Sequence, residues 1–236
     1  LRFVLKRELL NIRVIIPAFN EEKSIALVVR DIPKPMVKEV IVVNNASTDN
    51  TVEVARQAGA TVLNEMTPGY GNACLKGLEY LKGLNDTTDI VVFIDGDYSD
   101  YPTQLPELVH PIIEDNFDMV IGSRALGTRE SGSMTFPQVF GNWLATTLLR
   151  WFYGVRFTDL GPFRAIKYKR LMALNMTDRN YGWTVEMQLK AAQQGLRCTE
   201  VPVNYKRRIG VSKVSGTVKG TVMAGYKILY TIFKYL

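Results

Sequence analysis

A chain of 236 residues that is 47% hydrophobic and 22% charged carries enough apolar mass to bury a full core, which sets disordered and fibrous classes aside. Its formal net charge of +6 favours an anionic partner, but no nucleic-acid motif or aromatic-interleaved basic groove accompanies it, so phosphate on a ligand fits better than nucleic acid. Cys74 and Cys198 lack CxxC spacing, which argues against a zinc knuckle or disulfide framework and for a reducing cytoplasm; no signal-peptide pattern and no run of about 18 apolar residues is seen.

Arg13 to Pro17 (RVIIP) predicts a short strand, followed by a helix opened at Asn20 with Glu21 and Glu22 in its first turn. Glu39 to Asn45 (EVIVVNN) reads as the second strand, after which Ser47, Thr48 or Asp49 can cap a helix that ends at Gly59. A third strand at Ala60 to Asn64 and a third helix at Gly71 to Leu84 complete an alternation that predicts a parallel sheet with right-handed crossovers. The intervening PGYGNACLKG has glycines at 69, 71 and 77, so the G-x-G-x-x-G spacing of a dinucleotide fingerprint fails. Glycines opening a helix would still let a phosphate or ribose approach backbone donors.

The chain is organised around Ile90 to Asp97 (IVVFIDGD), an apolar run of the kind buried on both faces of a covered sheet. Asp95 and Asp97 stand at its carboxyl end with Gly96 letting the backbone turn, where open α/β sheets bind ligands. The pair reads either as a metal–diphosphate site or as two solvated turn aspartates. A helix from about Thr103 to Asn116 follows, within which His110 reads as structural; then a fifth strand, Met119 to Arg124, brings Arg124 to the same edge. Ala125 to Phe136 is rich in Gly, Ser and Thr and reads as a mobile loop of the length that often serves as a lid.

From Pro137 to Tyr153 a helix carries Phe140, Trp143, Leu144, Thr147, Leu148 and Trp151 on a broad apolar face, expected to lie mostly in the core. TDLGPFRAI places Asp159 and Arg164 around a Gly-Pro turn, and Glu186 falls early in a helix ended by Gly195. Cys198 to Tyr205 is the last predicted strand, and RRIGVSK is a basic turn centred on Gly210. In the terminal segment Val218, Val222, Gly225, Leu229, Ile232 and Leu236 recur at helical steps, with Lys219, Lys227 and Lys234 on another arc. That pattern suits a helix lying on a bilayer, docked on the protein's own core, or pairing with a second copy.

Taken in order, VIIPAFNEE, VVNNASTDNT, GYGNACLKG, the DGD pair, GSR, TDLGPFRA and EVPVNYKRRIGVSK resemble the motifs of family 2 inverting glycosyltransferases with the GT-A fold, and within them the dolichyl-phosphate mannose and glucose synthase branch. The resemblance implies an α/β fold with a Rossmann-like, mostly parallel central sheet flanked by helices. Its nucleotide-sugar half would cover about 13–122 and its acceptor half about 123–213, leaving an amphipathic C-terminal helix at about 214–236. It places Pro17, Ala18, Asn20 and Glu22 along the nucleotide, Asn45 near the base, Gly71 in the nucleotide loop, and Mg²⁺ or Mn²⁺ on Asp95 and Asp97 across Gly96. It assigns Arg124, Arg164, Arg208, Ser212 and Lys213 to the acceptor phosphate or the leaving diphosphate.

Two departures stand out: Asn44-Asn45 where the family commonly has Asp-Asp, and Ser99 where the branch often has Gln. The activity implied is transfer of a hexose from a UDP- or GDP-linked sugar to a polyprenyl phosphate by a cytoplasmic protein in peripheral contact with the membrane. A soluble sugar or glycan hydroxyl as acceptor, or a non-catalytic nucleotide-sugar-binding module, are the alternatives, and the terminal helix offers a route to a homo-oligomer. A lipid phosphate is already an anionic nucleophile; a hydroxyl would need a base, for which Glu186 or Asp159 is the candidate. Trp183 beside Glu186 could raise its pKa, whereas pairing with Arg164 would make it structural.

Overall fold

The strands β1 (Ile12–Ala18), β2 (Val37–Asn44), β3 (Thr61–Asn64), β4 (Ile90–Phe93), β5 (Met119–Ser123), β6 (Arg164–Lys167) and β7 (Cys198–Pro202) pair into one seven-stranded sheet, ordered β3-β2-β1-β4-β6-β5-β7. The structure is a computed structural model and describes residues 10–210 and 218–236. The β1–β2, β1–β4, β2–β3 and β5–β7 pairs are parallel, and β6 runs antiparallel to both of its neighbours. The sheet is thus mostly parallel, as alternating strand and helix signals predict, with one reversed strand wedged beside β4.

The helices are α1 (Ile25–Asp31), α2 (Thr51–Gln57), α3 (Tyr70–Lys82), α4 (Leu105–Glu114), α5 (Phe136–Tyr153), α6 (Tyr168–Ala173), α7 (Trp183–Gln193) and α8 (Val218–Lys234). Every residue of β1 is buried, and its side chains alternate between two apolar layers. Ile15, Val43 and Phe93 pack with Ala73, Leu78, Leu149 and Trp183 on one face, while Val14, Ile16 and Val92 pack with Ile25, Val28, Leu105 and Leu108 on the other. Each such Val, Leu or Ile contributes roughly 1.5–3 kcal/mol through burial. This two-sided core holds the ends of β1 and β4 still, which is what a site at their carboxyl edge requires.

Three sequence expectations change. Asn20 does not open a helix: it sits at φ 55°, and α1 begins only at Ile25. The backbone N–H groups of Asn20, Glu21 and Glu22 donate instead to Ser47 Oγ, Thr51 Oγ1 and Asp49 Oδ2, so the residues expected to cap the second helix tie the first two strand–helix loops together. Asn50 stands at the N-cap of α2.

The apolar face of α5 is not core. Ala145, Thr146 and Leu149 are the buried stripe, while Trp143 is 58% and Trp151 75% exposed. The helix is apolar nearly all round, so periodicity alone could not say which side would pack.

The stripe expected on α8 is split as well. Ile232 is buried, whereas Val222 and Leu236 are exposed. The C-terminal half is anchored by Tyr153 donating to the Ile232 carbonyl and Gln193 donating to that of Tyr235, both at 2.7 Å. α8 therefore docks on its own protein with an outer face left bare. No helix among the described residues is long and apolar enough to cross a membrane.

Candidate active site

The end of β4 delivers Asp95 and Asp97 into a cleft of about 750 Å³. Asp97 is buried; its Oδ1 accepts from the Ser99 N–H at 2.9 Å and the Ser99 hydroxyl at 2.5 Å, and its Oδ2 pairs with Arg208 Nη1 at 2.8 Å. Ser99 thus orients the second aspartate. Asp95 Oδ1 and the neighbouring Tyr70 hydroxyl are both buried without a hydrogen bond of good geometry, and the Tyr70 hydroxyl lies close enough to Asp95 to favour its charged form. Burial, reinforced by the charge of Asp97, pushes the Asp95 carboxyl up to about 7. An orphaned carboxylate oxygen beside a second carboxylate is a donor set that suits a hard divalent cation. Among the described residues no group of three or more His, Cys, Asp or Glu side chains converges there, so further ligands to such a cation would be diphosphate oxygens and water.

Arg124 and Tyr205 line the same cleft. Arg124 is held by Asp159 through three bonds: backbone N–H to Oδ2 at 2.7 Å, Nε to Oδ2 at 2.8 Å and Nη2 to Oδ1 at 2.6 Å. Its guanidinium lies 5.1 Å from the centre of the Tyr205 ring. Burial would raise the Asp159 carboxyl, but the Arg124 charge and hydrogen bonds outweigh it and hold the group below its ordinary value. Asp159 is therefore a positioning partner for Arg124 and not a free base.

Two more assignments need correcting. Glu186 lies outside the cleft lining, fully buried, and takes donors from Thr177, Asp178, Lys190 and Tyr235. Burial alone would lift its pKa, yet those donors hold it below the ordinary value, so Trp183 does not make it a poised base; its ionic partner is Lys190, not Arg164. Arg164 is also fully buried, at the start of β6, where its guanidinium donates to the carbonyls of Leu160, Gly161 and Thr184 and burial lowers its pKa to about 10. It shapes the Gly-Pro turn and has no face toward a phosphate in the cleft.

Residues 13–173 match the glycosyl transferase family 2 profile. The chain belongs to glycosyl transferase family 2. This glycosyltransferase is 35% identical to an uncharacterised glycosyltransferase of Mycobacterium tuberculosis, over 90% of its own length and 94% of the relative's. It is 30% identical to the undecaprenyl-phosphate mannosyltransferase of Micrococcus luteus, over 89% and 90% of the two chains. Among solved structures, glucosyl-3-phosphoglycerate synthase from Mycobacterium tuberculosis, in complex with Mn²⁺, UDP-glucose and phosphoglyceric acid, superposes with a TM-score of 0.79 over 99% of this chain and 82% of that one, at 23% identity. The α/β sheet flanked by helices is the GT-A fold.

Of the residues that the resemblance places along the nucleotide, Pro17, Ala18, Asn45 and Gly96 line the cleft of this glycosyltransferase together with Asp95, Asp97, Arg124 and Arg208. Asn20, Glu22 and Gly71 do not. The Asn20 Oδ1 accepts from the Thr48 N–H and the Glu22 carboxylate from the Asn50 N–H, so both side chains brace the second loop. A Cβ on Gly71 would lie 2.1 Å from the Asp178 carbonyl oxygen; its smallness serves the packing of the 178–179 turn against α3. Ser212 and Lys213 lie outside the described residues.

The Asn45 departure has a structural logic. Its Nδ2 donates to the carbonyls of Glu65 and Thr67, and its Oδ1 accepts from the Gly69 N–H, which pins the loop between β3 and α3. A carboxylate could make only the third of these bonds. Asn45→Asp should therefore destabilise the protein by about 1–3 kcal/mol, read as a lowered Tm. Asn45→Ser keeps the volume small without the carboxylate repulsion and should cost less; equal Tm values for wild type and Asn45→Asp would contradict the pinning role.

Sequence reading missed Phe19, Glu21, Tyr70, Asn180, Tyr181 and Tyr205, all of which line the cleft. It also passed over Asp100, which is buried with both carboxylate oxygens unpartnered, its pKa raised by burial and then by the charge of Asp95. The repeated aspartates of DGDYSD were the available signal.

Proposed function

We propose that this glycosyltransferase moves a hexose from a UDP- or GDP-linked sugar to a polyprenyl phosphate at the cytoplasmic face of a membrane. One observation carries the reading. The far wall of the cleft is made by Pro137, Gln138, Gly141 and Asn142 of α5 and by Ala224, Gly225 and Ile228 of α8, and these same helices turn Phe140, Trp143, Trp151, Tyr226, Tyr230 and Phe233 to solvent. Phe152 meets Phe233 edge-on with ring centres 5.7 Å apart, so the two faces form one surface. An exposed apolar patch of that extent marks an interaction site, and aromatic rings beside cations such as Arg150 and Lys234 suit the headgroup level of a bilayer. A lipid phosphate entering between α5 and α8 would carry its charged end toward Arg124 and Arg208.

The chemistry agrees with an acceptor that is already an anion. Both candidate bases, Asp159 and Glu186, are committed to structural partners, and the carboxylates among the described lining residues are Glu21, Asp95 and Asp97. A phosphate oxygen attacks the anomeric carbon as the bond to the diphosphate breaks, without a proton to remove. A Mg²⁺ or Mn²⁺ ion held by Asp95 and Asp97 would supply electrostatic stabilisation of the leaving diphosphate. Arg124, rigid on Asp159, adds fixed positive charge, and Arg208, paired with Asp97, adds a second charge beside the aspartates. The undecaprenyl-phosphate mannosyltransferase relative supports a lipid acceptor. The phosphoglyceric acid complex of the structural neighbour favours a second reading, a small phosphorylated acceptor bound by the same arginines.

The test is transfer from UDP- and GDP-hexoses with Mn²⁺ to undecaprenyl phosphate in vesicles, run beside phosphoglyceric acid in solution. Transfer to the lipid is expected, together with co-sedimentation of the protein with anionic vesicles that Trp143→Ser plus Trp151→Ser reduces about tenfold, since each buried interfacial aromatic contributes on the order of a kcal/mol. Full activity on phosphoglyceric acid with none on the lipid would replace the first reading by the second.

A further inference from the structure

We propose that Arg208 is a resident stand-in for the cation: it occupies Asp97 while the cleft is empty and leaves for the diphosphate when metal and nucleotide enter together. The inference rests on reading Asp95 and Asp97 as the cation-binding pair, and it adds an order of events to that reading.

Asp97 presents two oxygens. Ser99 fills Oδ1 with two donors, so Oδ2 is the side left to a cation, and Arg208 Nη1 lies 2.8 Å from it. The guanidinium is 25% exposed, and although burial works against its charge, Asp97 keeps it firmly protonated. A divalent ion on the same carboxylate would meet the Arg208 positive charge at close range in a partly buried site, where repulsion is poorly screened. Metal alone must therefore displace Arg208 with nothing to receive it. A diphosphate changes this, because its oxygens offer the guanidinium a bidentate anionic partner beside the one it gives up.

The surrounding structure suits a moving side chain on a stationary backbone. The Lys206 N–H donates to the Ser99 carbonyl at 2.9 Å and the Ile209 N–H to the Asp97 carbonyl at 3.0 Å, which staples the backbone on both sides of Arg208 to the aspartate turn. Its neighbours cannot take this part: Arg124 is clamped by Asp159, and Arg164 is bound to three carbonyls. Arg208 also offsets the charges of the neighbouring Asp97 and Asp95 carboxylates.

The experiment titrates MnCl₂ into nucleotide-free protein and reads the electron paramagnetic resonance signal of free Mn²⁺, for wild type, Arg208→Met, Arg208→Gln, Asp97→Asn and the Arg208→Met/Asp97→Asn double variant, each checked for an intact thermal transition. Removing Arg208 by either substitution should tighten Mn²⁺ binding about tenfold, within the usual range of coupling between sites, and Asp97→Asn should cancel the gain. With UDP or GDP present the order should invert, wild type binding Mn²⁺ more tightly than Arg208→Met. Equal or weaker Mn²⁺ binding by both Arg208 variants without nucleotide overturns the stand-in role. A gain that survives Asp97→Asn overturns instead the cation pair on which it rests, and neither result touches the acceptor, which is absent from the assay.

Discussion

Asp97→Ala should lower hexose transfer by about a thousandfold or more while leaving a folded protein, because electrostatic stabilisation of the leaving group is the largest contribution a site of this kind makes. The side chain joins Ser99 and Arg208, so its loss both removes a carboxylate from the cation pair and strands a guanidinium. Measured kcat within a factor of three of wild type would remove Asp97 from the chemistry. The same pair sets a pH dependence. The Asp95 carboxyl, moved from its ordinary 3.8 to about 7 by burial and by Asp97, must lose its proton to hold a cation, so the affinity for Mn²⁺ should weaken as pH drops below about 7. For stability the sign is opposite: the folded protein keeps a proton that the unfolded chain releases. The contribution of Asp95 is therefore fully present below pH 3.8 and is lost as pH rises through about 7. The Tm of the metal-free protein should decline between about pH 4 and pH 7, and Asp95→Asn should flatten that decline.

Glu186→Ala should be strongly destabilising, by about 3–5 kcal/mol, because it removes a fully buried acceptor from the Thr177, Asp178 and Tyr235 donors and leaves the largely covered Lys190 ammonium with only the Asn175 carbonyl and the Tyr235 ring. Glu186 accepts from the Thr177 N–H at 3.0 Å and hydroxyl at 2.7 Å, from the Asp178 N–H at 2.7 Å and from the Tyr235 hydroxyl at 2.8 Å, and it pairs with Lys190 at 2.7 Å. It thereby fastens the 177–178 turn and the end of α8 to α7. A loss of that size corresponds to a Tm lower by about 10 °C for a chain of this length. Glu186→Gln separates the two roles. A structural carboxylate predicts a lowered Tm with kcat retained, whereas a general base predicts an unchanged Tm with kcat lost.

Residue pattern carried the parallel part of the sheet well, because β1, β2, β4 and β5 each contain adjacent β-branched residues of the kind a doubly covered sheet buries. It did not carry β6, whose four residues begin with Arg164 and end with Lys167 and look like part of a turn. The site was half legible for a related reason. Asp95, Asp97, Arg124 and Arg208 stand where strand ends and the resemblance put them, and the cleft brings them together. Asp159, Arg164 and Glu186 have the right chemistry at motif positions, yet their partners come from segments distant in the chain, and no local pattern reveals that a carboxylate is already saturated. The α5 aromatics show the converse: amphipathicity announces that a face will be covered without naming the cover.

The reversed strand has a consequence for how this fold can be altered. Because β6 runs against β5, the chain leaves the sheet after Ser123 and returns at Arg164 on the same edge, with Ile121 paired to Arg164 and the Gly122 N–H bonded to the Phe163 carbonyl at 2.9 Å. The 124–163 excursion, α5 included, is tied down beyond that stem as well: Glu200 of β7 accepts from the Thr158 and Asp159 N–H groups, and the Tyr205 backbone bonds Thr128 and Glu130. An insert from a relative would therefore keep the strand registers only if its partners at Glu200 and Tyr205 were carried over with it.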